Sequence, residues 1–266
     1  MEKRDPFPLR RNRLTLSRLF SIKDKVVVVT GASQGVGKAA ALTFVALGAK
    51  VTAVSRSMAN SAILQNPKAG KNFLPLGIDV TQKDQVQTMI DETVKRYGRV
   101  DVLVNNAGIF LPSEPEEITE ENWDRVINTN LKGAFLCAQA AGRVMIAQRR
   151  GKIINVSSVS GSRATPIPLS ASYDASKGGL DNLTKALAVA WAKHHINVNA
   201  IAPCALETPM KFPLSESEES RKMAWIPMNR RAAPDDLMGA IVFLSSPASD
   251  FMTGHVLAVD GGRLAW

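Results

Sequence analysis

Tyr173 and Lys177 stand four residues apart in the stretch Ser172-Tyr173-Asp174-Ala175-Ser176-Lys177-Gly178-Gly179. On a helix, that spacing places both side chains on one face. An ammonium beside a phenol favours the ionised form, the form a tyrosine needs to exchange a proton near neutrality. A free phenol titrates near pH 10, so neutrality requires a shift of about three units, or about 4 kcal/mol. One cation supplies part of this, and a second positive charge or hydrogen-bond donor has to stand close by. Helices carry Tyr-x-x-x-Lys pairs by chance, so the pair gains its weight from the rest of the chain.

A second constellation lies near the start. The apolar run Val26-Val27-Val28-Val29 leads into Thr30-Gly31-Ala32-Ser33-Gln34-Gly35-Val36-Gly37. Glycines let the backbone turn tightly and approach a pyrophosphate, whose charge the free N–H groups of the following helix receive. After the first buried strand of an α/β chain, this turn predicts a dinucleotide site drawing on Gly31, Ser33, Gln34, Gly35, Val36 and Gly37. The end of the second strand selects the nucleotide. An acid there binds ribose hydroxyls, but this chain has Ser55 and Arg56, and a guanidinium suits a 2′-phosphate. NADP(H) is therefore favoured over NAD(H), which such a turn also accepts.

The elements that must position these residues alternate. β-branched runs near 26–29, 51–54, 73–78, 100–104, 152–156, 196–201 and 255–259 read as strands. Helical patterns follow through Leu47, over 82–97, 121–148, 172–193 and 235–245, with a loop region at 203–233. This order predicts an α/β fold, a single-domain Rossmann arrangement with a doubly wound, parallel seven-stranded sheet and helices on both faces. Residues 21–266 form the domain, and residues 1–20 a basic N-terminal arm.

Composition narrows the classes. The chain has 266 residues, 45% of them hydrophobic, which supports a sizeable core. No apolar run is long enough to span a bilayer, and no secretory signal is present. The net charge of +9 is scattered, without a basic stripe interleaved with aromatics, so no nucleic acid or membrane partner is expected. Cys137 and Cys204 lack metal-ligand spacing and read as reduced thiols of a cytoplasmic protein. His194-His195 at a helix end reads as a cap or a solvated pair, and no metal is expected.

Taken together, Thr30-Gly31-x-x-x-Gly35-x-Gly37, Asn105-Asn106-Ala107-Gly108, Asn130, Ser158, Tyr173-x-x-x-Lys177, Pro203 with Thr208, and Asp260-Gly261-Gly262 resemble the short-chain dehydrogenases/reductases. The resemblance runs from about residue 20 to 262. It implies hydride transfer between a nicotinamide cofactor and a ketone or secondary alcohol, the oxidised ring being the second positive charge. Tyr173 would be the general acid/base and Lys177 its tuner and ribose ligand. Ser158 would hold the carbonyl oxygen, and Asn130 a relay water. Asp79 and Val80 would meet the adenine, Asn106, Ala107 and Gly108 the ribose, and Pro203, Leu206 and Thr208 the nicotinamide side. Ser157 should face away from the site.

Dimers or tetramers through the helices at 121–148 and 172–193 are also implied. Within the family the chain resembles gluconate 5-dehydrogenase-like members, which act on sugar acids, and 3-oxoacyl-acyl-carrier-protein reductases, for which Arg149-Arg150 could meet an acidic carrier. A non-catalytic nucleotide-binding relative would typically lack the Tyr or the Lys. Three departures stand out: Cys204 replaces the usual Gly after Pro203, Gln34 stands where NADP enzymes often carry a base, and Pro166 and Pro168 lengthen the loop before Tyr173. Met210, Phe212, Trp225 and Met228 suggest an apolar lid. Gly178 and Gly179 suggest close approach of a cofactor or a second subunit.

Overall fold

The computed structural model describes residues 15–58, 70–164, 171–208 and 215–266. Its strands are β1 (Val26–Thr30), β2 (Lys50–Ser55), β3 (Phe73–Gly77), β4 (Val102–Asn105), β5 (Gly151–Val156), β6 (Ile196–Pro203) and β7 (Val256–Val259). They form one sheet in the order β3-β2-β1-β4-β5-β6-β7, with every pairing parallel. The helices are α1 (Leu16–Leu19), α2 (Gly35–Ala46), α3 (Lys83–Tyr97), α4 (Glu120–Ile127), α5 (Gly133–Gln148), α6 (Ala171–Trp191), α7 (Glu216–Ala224) and α8 (Met238–Ser245). This is the doubly wound Rossmann arrangement predicted from the β-α alternation.

A parallel sheet covered on both faces needs apolar side chains pointing both ways. In β1, Val27 and Val29 join Phe44 of α2 and Ile241 and Leu244 of α8 in one core. Val28 turns the other way, to Met89 and Ile90 of α3, Met145 of α5 and Leu187 of α6. Each large apolar side chain so buried contributes about 1.5–3 kcal/mol. Because β1 lies between β2 and β4, the strand order reverses there. The crevice outside the carboxyl ends of β1 and β4 is where such sheets bind ligands.

The helix expected over 121–148 is broken. After α4, residues Asn128–Lys132 form a π-helical turn before α5 resumes. Such turns insert an extra residue and re-aim what they carry, here the buried Asn130. The expected loop region at 203–233 contains α7, whose sequence is too polar to show an apolar stripe. The tightness at Gly179 comes from within the chain: a Cβ there would lie 2.8 Å from Cδ2 of Leu131 in the π-turn. Beside Gly178 the nearest atom is the Gly161 carbonyl oxygen, 3.5 Å from such a Cβ.

Of the basic arm, the last residues form the single turn α1, and Phe20 packs against Phe243 of α8 with ring centroids 6.3 Å apart. Residues 1–14, Pro166, Pro168, Met210 and Phe212 lie outside the described residues. Among the described residues, no helix is long and apolar enough to cross a membrane.

Candidate active site

The turn between β1 and α2 is shaped by close contact. Gly31 has φ of 66° and Gly35 of 54°, the left-handed region that favours glycine. A Cβ on Gly31 would stand 2.7 Å from Nδ2 of Asn106, and one on Gly37 would stand 2.3 Å from the Gly31 carbonyl oxygen. Asn106 braces the turn, its amide donating to the carbonyls of Thr30 and Gly31 at 3.0 and 3.1 Å. Thr30 Oγ1 accepts from the N–H groups of Asn106 and Ala107, both at 3.0 Å, which joins β1 to the loop after β4. At the start of α2, Gln34 provides no side-chain cap. The first-turn amides are thus left for an anion.

These residues open onto a cavity of about 310 Å³. It is lined by Gly31, Ser33, Gln34, Gly35 and Val36 of the turn, by Ser55 and Arg56 after β2, by Asp79 and Val80 after β3, and by Asn106, Ala107 and Gly108 after β4. Ser158, Tyr173, Lys177, Pro203, Leu206 and Thr208 close its other end. Of the residues singled out in the sequence, Gly37 and Asn130 do not line it; they shape it from behind. A dinucleotide fits this donor set. The glycine cradle would be filled by any Cβ, the α2 amides are uncapped, and Ser55 Oγ is buried without a hydrogen-bond partner among the described residues. Asp79 spends one carboxylate oxygen on the N–H and hydroxyl of Thr81, at 2.9 and 2.8 Å, leaving the other for a ligand.

The chemical end is set by α6 and β5. The two hydroxyls at the end of β5 diverge. Ser158 shares a hydrogen bond with the Tyr173 phenol, whereas Ser157, though it also borders the cavity, is directed to Asp181 and to the Lys177 carbonyl. Lys177 is buried, donates to the Val156 carbonyl at 2.7 Å, and lies 5.5 Å from the centroid of the Tyr173 ring. Phe110, which the sequence did not single out, packs edge-on against that ring at 5.3 Å.

A buried polar chain holds α6 to the sheet. Asn105 donates to Asn155 at 3.0 Å, and Asn155 to Thr184 of α6 at 2.8 Å. Asn130 donates to the Ile109 carbonyl and to Ser176 Oγ, accepts from the Ile109 N–H, and so joins the π-turn to both the cavity loop and α6. Ser176, a second residue the motif reading missed, passes the link on by donating to the Tyr173 carbonyl at 2.7 Å.

Burial outweighs the lysine in this protein framework. It pushes the Tyr173 phenol up to about 12, with the Ser158 hydrogen bond pulling back, and pushes Lys177 down to about 8, with Asp181 pulling back. The lowering of Tyr173 expected from its lysine neighbour is therefore absent: desolvation of the phenolate dominates. Cys204 borders the cavity outside the left-handed region, so its side chain brings no strain of that kind, and burial raises its thiol.

These shifts have opposite consequences for stability. Lys177 is held at about 8 in the fold against 10.5 ordinarily, so the unfolded chain binds its proton more tightly and stability rises with pH between those values. Tyr173, held at about 12 against 10.0, contributes fully below its ordinary value and loses that contribution as pH climbs towards 12. Lys177→Met removes the first effect. From pH 8 to pH 10, wild type should gain roughly 2 kcal/mol relative to the variant, read by denaturant unfolding at each pH. Parallel curves would show that Lys177 is not desolvated.

Residues 31–263 match the family model described as enoyl-(acyl carrier protein) reductase. The chain is 40% identical over 250 residues to the 2-dehydro-3-deoxy-D-gluconate 5-dehydrogenase of Escherichia coli, covering 92% of this chain and 98% of that relative. It is also 40% identical over 243 residues to a 3-oxoacyl-acyl-carrier-protein reductase of Thermotoga maritima, covering 91% and 98%. Among solved structures, the gluconate 5-dehydrogenase of Burkholderia cenocepacia in complex with NADP and tartrate is similar, with a TM-score of 0.88, 34% identity, and coverage of 94% of this chain and 98% of that one. With its sheet order, glycine turn and Tyr173–Lys177 helix, the chain belongs to the short-chain dehydrogenase/reductase family.

Proposed function

We propose that this oxidoreductase transfers a hydride between NADP(H), in preference to NAD(H), and a ketone or secondary alcohol, with Tyr173 as general acid/base. The observation that carries the reading is the meeting of Ser158, Tyr173 and Lys177 at one end of the cavity whose other end is the glycine turn and Arg56. The bound nicotinamide supplies or takes the hydride. Tyr173 gives its proton to the carbonyl oxygen in reduction and recovers it in oxidation. Ser158 donates to that oxygen and stabilises the charge developing on it. Lys177 offsets the phenolate and binds the cofactor ribose.

Asn130 first of all positions α6, since both its amide hydrogens are donated within the protein. A relay water would use the remaining acceptor capacity of Oδ1. Gly31, Ser33, Gln34, Gly35 and Val36 hold the pyrophosphate, with Gly37 shaping the turn behind them. Asp79 and Val80 meet the adenine, Asn106, Ala107 and Gly108 the ribose, and Pro203, Leu206 and Thr208 the nicotinamide side.

The substrate class is a sugar acid or polyol, with a 3-oxoacyl thioester as the alternative. Arg149 and Arg150, considered for an acidic carrier, precede β5 and so lie at the opposite end of the sheet from Ser158. The reading extends to a cytoplasmic homodimer or homotetramer. Exposed Phe135 of α5 and Val189 of α6, the latter 82% accessible, suit a helix-paired interface. Oxidation of NADPH and NADH against 5-ketogluconate, acetoacetyl thioesters and small diketones tests the whole reading. Among the described residues, exposed Arg56 is the cation that lines the cavity at the end of β2. Arg56→Ala should lower kcat/KM for NADPH about tenfold or more and leave NADH nearly unaffected, as expected for a charge-assisted contact to the 2′-phosphate. An unchanged NADPH/NADH ratio would remove Arg56 from the argument.

A further inference from the structure

Next to the crevice, beyond Cys204, lies the turn that follows β7. Pairing of Pro203 with Val259 sets Cys204, on the rim of the cavity, beside Asp260–Arg263. Gly261 and Gly262 have φ of 64° and 91°. Cβ atoms there would stand 2.7 Å from Cγ2 of Ile226 and 3.0 Å from Cγ of Pro227, so the turn is pressed against the segment after α7. Asp260 locks it, accepting from the N–H groups of Gly262 and Leu264 at 2.9 and 2.8 Å. Arg163, in the loop that begins at Ser158, ties the same turn to the chemical site by donating to the carbonyls of Arg263 and Trp266 at 3.4 and 2.7 Å.

The side chain this frame holds is Arg263. It is 6% exposed, and its guanidinium lies 5.4 Å from the centroid of the Trp225 ring. Among the described residues no carboxylate forms an ion pair with it. Both oxygens of Asp260 are spent on backbone, and Glu219 is taken by Arg231 at 2.5 Å. Half-buried Lys222 of α7 feels the Glu219 carboxylate but forms no ion pair among the described residues, and its charge and that of Arg263 both act on the Cys204 thiol. A largely buried guanidinium without a counter-charge among the described residues is costly, and a ligand's anion is what would offset it.

We propose that Arg263, stacked on Trp225 and backed by Lys222, is the carboxylate-recognising residue of the substrate subsite, so that the carbonyl reduced at Tyr173 belongs to an organic acid. The proposal rests on the hydride-transfer reading above. The planar fork of Arg263 suits two parallel hydrogen bonds to a carboxylate, and the indole face fixes the plane of that fork.

The test pairs each acid with a neutral counterpart: 5-ketogluconate with D-fructose, and acetoacetate with ethyl acetoacetate. In Arg263→Met the ratio of kcat/KM for the acid to that for its neutral partner should fall at least tenfold, mainly through KM, and Arg263→Lys should recover part of it. Binding of sodium D-gluconate to the NADP-loaded protein, followed by calorimetry, should weaken by a similar factor. A ratio and a gluconate affinity within twofold of wild type would overturn the proposal while neutral ketones are still reduced. If no ketone of either kind is reduced, the hydride-transfer reading fails and the proposal with it. Should Arg263→Met not fold, Lys222→Met carries the same comparison. A threefold or greater fall in the ratio supports the cationic wall, and an unchanged ratio counts against it.

Discussion

Tyr173→Phe should reduce turnover about 10³-fold or more, within the range general acid–base groups contribute. The physical case is that nothing else can give the proton. Ser158 is a hydroxyl of far higher intrinsic pKa, and the Lys177 ammonium is directed to the Val156 carbonyl at 2.7 Å. The substitution removes one oxygen and leaves the ring, which keeps its edge-on contact with Phe110 at 5.3 Å. Cofactor affinity should therefore stay within about fivefold, since removing one neutral hydrogen bond costs about 1 kcal/mol or less. Steady-state kinetics with NADPH and a fluorescence titration of the cofactor separate the two quantities. A variant that turned over at the wild-type rate would end the mechanism. Loss of binding together with turnover would mean that Tyr173 shapes the cavity rather than the chemistry.

The second large effect lies at the opposite end of the cavity. Gly37→Ala places a methyl group 2.3 Å from the Gly31 carbonyl oxygen and 2.4 Å from the Asn106 amide nitrogen. Neither neighbour is the free end of a flexible side chain. One is backbone, and the other is held by hydrogen bonds to Thr30 and Gly31. The turn has to open, which misplaces the amides it presents. Cofactor affinity should fall about 10²-fold or more, because misplacement of about an ångström is enough for that loss. Overpacking of this kind also costs about 1–3 kcal/mol, a fall in melting temperature of several degrees. Calorimetric titration and thermal unfolding give the two numbers. Gly35→Ala is the complementary comparison: its nearest contact is a methyl group of Thr208 at 3.4 Å, but its φ of 54° strains any side chain, so a loss there reports backbone strain rather than crowding. Wild-type affinity in Gly37→Ala would show that the turn tolerates the crowding.

Much of this architecture could be read from residue order. Buried parallel strands announce themselves as unbroken runs such as Val26–Val29, and the glycine turn has no other reason to follow such a run. What escaped has physical causes. The π-turn at Asn128–Lys132 adds a residue to an otherwise regular helical repeat, so the apolar period of 121–148 reads through it. α7 is mostly Glu, Ser, Arg and Lys, with apolar residues only at its end, Met223 and Ala224, and so no apolar face to give a period. Phe110 lies in an irregular loop two positions after Gly108, where no spacing rule applies.

The Tyr173–Lys177 spacing correctly brings the two side chains together, but spacing carries no information on desolvation, and desolvation sets the direction of both shifts. Gly178 and Gly179 pointed to a close approach. At Gly179 the approach comes from Leu131 of the same chain, which depends on the π-turn and could not be foreseen without it, whereas Gly178 meets only an ordinary contact at Gly161.

The sheet order also bears on how quickly a working site can arise. The strands that frame the crevice, β1 and β4, are joined across 75 residues by the Val26 N–H and the Asp101 carboxylate, with β2 and β3 lying between them in sequence. No hairpin can nucleate an all-parallel sheet, and closing so long a loop comes before any reward from its contacts. The glycine turn and its Asn106 brace come from opposite sides of that closure. During synthesis and refolding the nucleotide therefore has nothing to hold until β4 docks. Added cofactor should slow unfolding, yet leave the rate of the main refolding phase unchanged.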